Sequence, residues 1–391
     1  MNEDKSARYH RLQRRASVLS FAVSAAVPAL LLASGASVSM RDLASTLAGV
    51  APAAVVVVYV LLFVAVQECV SLPLVFYRSF VLERRYGLSR ETPATWVRDH
   101  LKAVVLGTAI AAAGTSVVYA SLRWSPPWWW IVSAAAFVAG IILLTKAAPV
   151  LLMPLFYTFV PLDRESLRER LFALTRRTGV PVLGAFVWKL GDRTRRANAA
   201  LVGTGATRRI LLSDTLLSDY SEDEIEVILA HELAHHVRGD IRKGLLVEAG
   251  LVFASFAAAA MALRLGGSAA GLSSPADVAG LPLLLLAGGS VMAAATPAVH
   301  AYSRRNERAA DDYALRLTGR ADAFVSAMRR LAAQNLADER PSRLALLLFH
   351  SHPPISERLE RARAFAPAAV IEAASLPADP APVAVPESIA R

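Results

Sequence analysis

Six long apolar runs dominate this sequence, near residues 17–34, 49–77, 102–122, 128–159, 244–264 and 279–299. A helix needs about 20 residues to cross the hydrocarbon core of a bilayer, and every run is close to or beyond that length. In lipid each backbone N–H and C=O must find its partner inside the protein, which a helix achieves within one segment. The predicted fold is therefore mainly α and polytopic. Composition agrees: 55% of the residues are hydrophobic and 19% charged, too apolar for an ordinary soluble domain. The second and fourth runs exceed one crossing. Each is interrupted late by proline (Pro73; Pro149 and Pro154), where a kink or a helix end is expected. The first run has no small-residue cleavage site followed by a polar secreted domain, so it reads as an anchor rather than a signal peptide. The one cysteine, Cys69, lies inside the second run. That excludes an intrachain disulfide and a cysteine-ligated metal.

The formal net charge of +10 would suggest nucleic acid in a soluble protein. Here its distribution serves topology, and no nucleic acid partner is expected. Basic residues cluster at 8–15, 78–102, 161–209 and 304–344, whereas the loops 35–48, 123–127 and 265–278 are nearly free of them. Basic loops stay on the cytoplasmic side, so the alternation predicts six crossings with both termini cytoplasmic. Trp124, Trp128, Trp129 and Trp130 fall at the outer end of the third and fourth runs, where an aromatic belt belongs. The preference for arginine over lysine and the abundance of alanine fit a GC-rich genome, hence a bacterial cytoplasmic membrane.

Three stretches follow: a membrane half of four helices at 1–160; a mixed part at 161–364 that includes the last two crossings; and an Ala/Pro-rich tail at 365–391, expected to be disordered. Residues 164–179 pattern as an amphipathic helix closed by Gly179, 180–190 as a strand, and 198–217 as two short strands about a Gly-Thr-Gly turn. Ser221 and Glu224 then form a capping box, with Glu222 and Asp223 favouring the positive end of a new helix.

That helix carries HELAHH at 231–236. His231 and His235 are four apart and share a face, as two imidazole ligands of one zinc ion must. Glu232 can reach a metal-bound water as a base. The pattern is short and occurs by chance in unrelated proteins. A catalytic zinc needs a third protein ligand, and RRNERAADDYAL (304–315) offers Glu307, with Asp311 one turn on to accept the spare N–H of a ligand histidine. Read alone, that segment is an ordinary solvated charged helix. His236 diverges by a quarter turn and cannot share the metal. His10, His100, His300 and His350 have no partners by spacing. His352, in the rigid turn of SHPPISER (351–358), reads either as a surface histidine or as a hydrogen-bond donor to an oxyanion.

Together these residues resemble the type I CAAX prenyl endopeptidase family of membrane-embedded zinc metalloproteases. HELAHH before a membrane helix, the Glu307/Asp311 pair and SHPPISER carry the resemblance, with SFVLERRYGLSRETPATWVRDHLKA (79–103) in the N-terminal half. PLFYTFVPLDRESLRERL (154–171) and the Asn-Ala of 198–199 extend it, so that it covers about 16 to 364. The resemblance implies six or seven crossings that enclose a chamber around a gluzincin-like core with a small sheet. It implies one zinc on His231, His235 and Glu307, Glu232 as base, Asp311 behind the ligands, and His352 facing the bound peptide. Asn198 and Ala199 would lie on an edge strand that pairs with the substrate backbone, and the substrate would be a peptide or protein. Two features depart from the family: arginine-rich GDRTRRANAA (191–200) replaces a serine- and histidine-rich stretch, and Ala200 stands where an aromatic is usual. A transporter, suggested by Glu68 and Lys146 within apolar runs, and a zinc-binding scaffold without chemistry are the alternatives. The intact Glu232 opposes the scaffold. Oligomeric state is not legible.

The topology has a direct test. A cysteine at Ser273 should react with an impermeant reagent on intact cells, and one at Ser218 should not. The reverse pattern would overturn the orientation, and labelling of both would remove a crossing.

Overall fold

A computed structural model describes residues 5–49 and 51–365. The expected disordered tail therefore lies outside the described residues from 366 onward. Among the described residues, six helices are long and apolar enough to cross a membrane: Lys5–Ala33, Pro52–Arg85, Pro93–Trp124, Trp129–Leu155, Asp240–Gly266 and Val278–Thr318. At most 28% of each apolar window is buried in the protein. Their side chains are thus left for lipid or for an interior space, as the apolar runs require.

The prolines act where expected and in a particular way. Pro73 sits inside its helix and is followed by a π-helical turn at Tyr77–Val81, and Pro149 lies within another at Ala148–Leu152. A proline removes one N–H and crowds the carbonyl four residues back, here those of Cys69 and Thr145, and each π turn lies on the C-terminal side of that interruption. The fourth run does not remain helical to 159: it passes through a 3-10 turn at Met153–Leu155 into strand β1, Thr158–Pro161. Residues 35–48, expected as a loop, contain the helix Ala36–Ala48. It is held at the end of the bundle away from the sheet by buried Ser37, whose hydroxyl is 2.6 Å from Tyr59 Oη and donates to the Ala279 carbonyl at 2.6 Å. Its 13 residues reach about 20 Å, short of a crossing. The four tryptophans also divide. Trp124 and Trp128 are exposed as a belt requires, but Trp129 is buried, its ring 6.2 Å from that of Phe256.

The polar part is a four-stranded sheet, ordered β1-β2-β4-β3, backed by helices. β2 (Gly184–Lys189) pairs antiparallel with β1 and parallel with β4 (Arg209–Ser213). β3 (Ala199–Val202) lies antiparallel to β4 at the other side of the sheet. The turn from β3 to β4 needs Gly203. Its φ is +93°, and a Cβ there would stand 2.8 Å from the Thr207 carbonyl oxygen. Leu167, Leu171 and Leu174 of the helix Glu165–Arg177 and Ile210 and Leu212 of β4 form one apolar core with Ile225, Leu229 and Leu233. That core fixes the helix Glu222–Val237 against the sheet.

Glu224 anchors the start of that helix. It accepts from Ser221 N–H at 2.8 Å and from the Ser326 hydroxyl at 2.5 Å, and Arg330 Nε is 3.0 Å away. Burial pushes its carboxyl up, but these donors and the arginine prevail and hold it below its ordinary value of 4.5. A depressed carboxylate stabilises the fold above its unfolded pKa and loses that contribution as pH falls through the folded value. Glu224→Gln should therefore cost about 1–2 kcal/mol near neutral pH. Thermal unfolding in detergent should show the gap to wild type closing below about pH 4.5. An equal gap at every pH would assign the loss to packing.

Candidate active site

The helix Glu222–Val237 and the polar C-terminal extension of the sixth span bring together the residues that sequence spacing pairs separately. The sixth span does not stop at the membrane. One helix, Leu281–Thr318, runs without a break through RRNERAADDYAL. It delivers Glu307 to the two histidines: Glu307 Oε2 is 3.3 Å from His231 Nε2, and Oε1 is 3.5 Å from His235 Nε2. One ligand atom from each of the three lies within 4.8 Å of the others. Tetrahedral ligands about 2.0–2.1 Å from a zinc ion stand about 3.3–3.4 Å apart, close to the two observed separations. Glu307 Oε2 is also buried without a well-aligned hydrogen-bond donor. A cation would satisfy that orphaned oxygen, so the residues present fit a metal.

Each histidine is backed by a carboxylate. His231 Nδ1 is 2.9 Å from Asp311 Oδ1, though off the ideal hydrogen-bond line. His235 Nδ1 is 3.2 Å from Asp240 Oδ2. Asp311 is held in turn by buried Arg358, whose Nε and Nη2 donate to its two oxygens at 2.8 and 2.5 Å. Sequence spacing assigns no role to Asp240 or Arg358. Asp240 sits five residues after His235, across a turn at Gly239 (φ +68°) that no helical spacing predicts. Arg358 belongs to SHPPISER, where only His352 had drawn attention.

His352 Nδ1 lies 2.8 Å from Glu307 Oε2, with its side chain largely exposed. Glu232 is adjacent to His231. Burial raises its carboxyl above the ordinary value, His231 and His235 pull it down, and Glu307 pushes it up. Burial lowers His231, but Asp311 and Glu307 outweigh it and raise the imidazole to about 9. An imidazole that ligates a metal must give up this proton, so metal binding there depends on pH.

Asn198 and Ala199 sit at the start of β3, which has β4 on one side and the helix Glu222–Val237 close by. The arginines of 191–196 are tied to the membrane half. Arg193 donates to Asp99 at 2.5 Å, Arg196 bridges Glu83 and Tyr9, and the Arg90 and Arg195 N–H groups bond the Arg193 and Leu88 carbonyls. The other histidines are held as structural groups: His10 Nε2 is 2.6 Å from the Leu336 carbonyl, and His100 Nε2 is 3.2 Å from Glu68.

Fold and site together define a metallopeptidase embedded in a membrane. The chain belongs to peptidase family M48, which matches residues 161–366, more than half of its length; residues 2–158 match the CAAX prenyl protease N-terminal family of five membrane helices. Four crossing-length helices and the short helix Ala36–Ala48 occupy that N-terminal stretch. An uncharacterized metalloprotease of Bacillus subtilis, YhfN, is 29% identical over 312 residues, covering 78% of this chain and 72% of its own. A probable CAAX prenyl protease 1 of Schizosaccharomyces pombe is 29% identical, over 75% of this chain and 62% of its own length. The crystal structure of Saccharomyces mikatae Ste24p superposes with a TM-score of 0.80 at 26% identity, covering 91% of this chain and 87% of that one. The fold is that of a membrane chamber protease.

If the two carboxylates orient the histidines, Asp311→Asn and Asp240→Asn should each weaken metal binding about 10–100-fold. Competition with a fluorescent zinc chelator would measure this. Unchanged affinity in either variant would remove that carboxylate from the site.

Proposed function

We propose that this chain is a zinc-dependent endopeptidase. On this reading residues 161–364 form the catalytic part and 1–160 the membrane half. It hydrolyses peptides or membrane-associated proteins at a site open to the cytoplasmic side. The observation that carries this is the meeting of His231, His235 and Glu307 beside Glu232 in a chain of a metallopeptidase family. The charge pattern of the loops supports the orientation, because HELAHH and Glu307 are separated by two crossings and so share the arginine-rich side. The Schizosaccharomyces pombe relative is named a probable CAAX prenyl protease 1 and the Bacillus subtilis one a metalloprotease, which supports peptide-bond hydrolysis at a membrane.

His231, His235 and Glu307 would hold the zinc, which when bound supplies a Lewis acid that acidifies water and polarises the scissile carbonyl. Glu232 accepts the proton of the attacking water and passes it to the leaving amine, and a carboxyl raised by burial suits both halves of that transfer. Asp311 fixes His231 through its Nδ1 and is itself neutralised by Arg358. His352 is near enough to Glu307 to donate to the developing oxyanion. Ala199 presents strand backbone to an extended peptide, and Asn198 beside it is anchored to Ser213 of β4 through its own N–H and C=O.

Glu232→Gln should abolish peptide cleavage, by about three or more powers of ten, with zinc still bound. His231→Ala and Glu307→Ala should lose both metal and activity. Elemental analysis beside a quenched-peptide assay separates the two classes. Glu232→Gln activity within about tenfold of wild type would place the base elsewhere.

A further inference from the structure

Strand β3 keeps one edge away from β4. Its register runs from Ala199↔Leu212 to Val202↔Arg209, and one step earlier Ser213 N–H donates to the Asn198 carbonyl at 2.9 Å. In an antiparallel pair, residues that bond the partner strand alternate with residues whose N–H and C=O point away. Asn198, Ala200 and Val202 therefore face β4, and Ala199 and Leu201 turn their backbone groups to the outer edge. That edge is closed at one point. His236 Nε2 lies 3.1 Å from the Leu201 carbonyl oxygen, and Arg208 Nε is 3.2 Å from His236 Nδ1. A guanidinium only donates. Nδ1 must accept from Arg208, so Nε2 carries the proton and donates it to Leu201. Arg208 comes from the turn shaped by Gly203, where its Nη1 also donates to the Gly205 carbonyl at 3.1 Å.

We propose that His236 is a positioning residue for substrate: it fixes β3 against the helix Glu222–Val237 and occupies the Leu201 carbonyl, so that an extended peptide pairs with β3 at Ala199. This rests on the reading of the site as a peptidase. One hydrogen bond then links the helix bearing His231, His235 and Glu232 to the strand that sets substrate register. The spacing between the paired residue and the scissile bond follows from that link. The residue beside a candidate metal ligand thus serves the peptide rather than the metal, as its quarter-turn offset from His235 requires.

The test uses the full-length, zinc-loaded protein. His236→Phe keeps a ring and removes both hydrogen bonds. Arg208→Met removes the tautomer-setting donor from a turn that touches no candidate ligand. Both should raise KM for an oligopeptide about tenfold, the worth of roughly one hydrogen bond, with zinc content and kcat held. Both should also spread the cleavage positions found by mass spectrometry. His236→Gln, which can still donate to Leu201, should recover much of the KM. A depsipeptide lacking the N–H that faces Ala199 should penalise wild type more than His236→Phe. Unchanged KM and cleavage positions in both variants would overturn the proposal, as would loss of zinc in both. Full activity of Glu232→Gln would instead defeat the peptidase reading, so the two failures are distinguishable.

Discussion

The site exists because one helix leaves the membrane without stopping. Leu281–Thr318 has 38 residues, about 57 Å at 1.5 Å each, far more than a crossing requires. Its first half is apolar and its last part carries Glu307 and Asp311. Continuity makes the position of those carboxylates a rigid extension of the sixth span, and the hairpin with Asp240–Gly266 returns them to the side on which the histidines lie. A loop at this point would have left Glu307 free to relax away from two imidazoles. A helix holds it there even though its carboxylate is largely buried, where an unpaired charge is costly.

Around that contact the charges are balanced in layers. Glu307 faces His231, His235 and His352; Asp311 faces His231 and Arg358; Asp240 faces His235, Arg238 and Lys243. Each carboxylate is shared between a histidine and a further cation or imidazole. The histidine rings are thereby oriented from behind, with their Nε2 atoms left toward Glu307. Arg358 ties the turn of His352 to the same network, so SHPPISER contributes to the centre through its arginine as well as its histidine.

The membrane half is joined to this core by side chains rather than by apolar packing alone. Arg193 and Arg196, which stand in the stretch that departs from the resembling family, meet Glu83 at the end of the second spanning helix, Glu91 in the loop after it and Asp99 near the start of the third. The arginine-rich stretch thus reads as a junction, and β3 begins directly beyond it.

The crossings, the capped helix, the strand-turn-strand and the residues of the candidate centre were legible in sequence, because each rests on local periodicity or on spacing within one helix. Hydrophobic length sets a membrane helix, and an interval of four sets a shared face. Less legible were the helix Ala36–Ala48 and strand β1, whose stability comes from partners distant in the chain. Asp240, Arg358 and the bond from His236 to Leu201 escaped for the same reason. A side chain's partner across space depends on how helices and strands are packed, not on its neighbours in sequence. Sequence alone determined that this chain crosses a membrane and carries two histidines and a carboxylate suited to one metal. Only the tertiary structure decided that they meet, since their separation of more than 70 residues is closed by the return of two membrane helices and by nothing local.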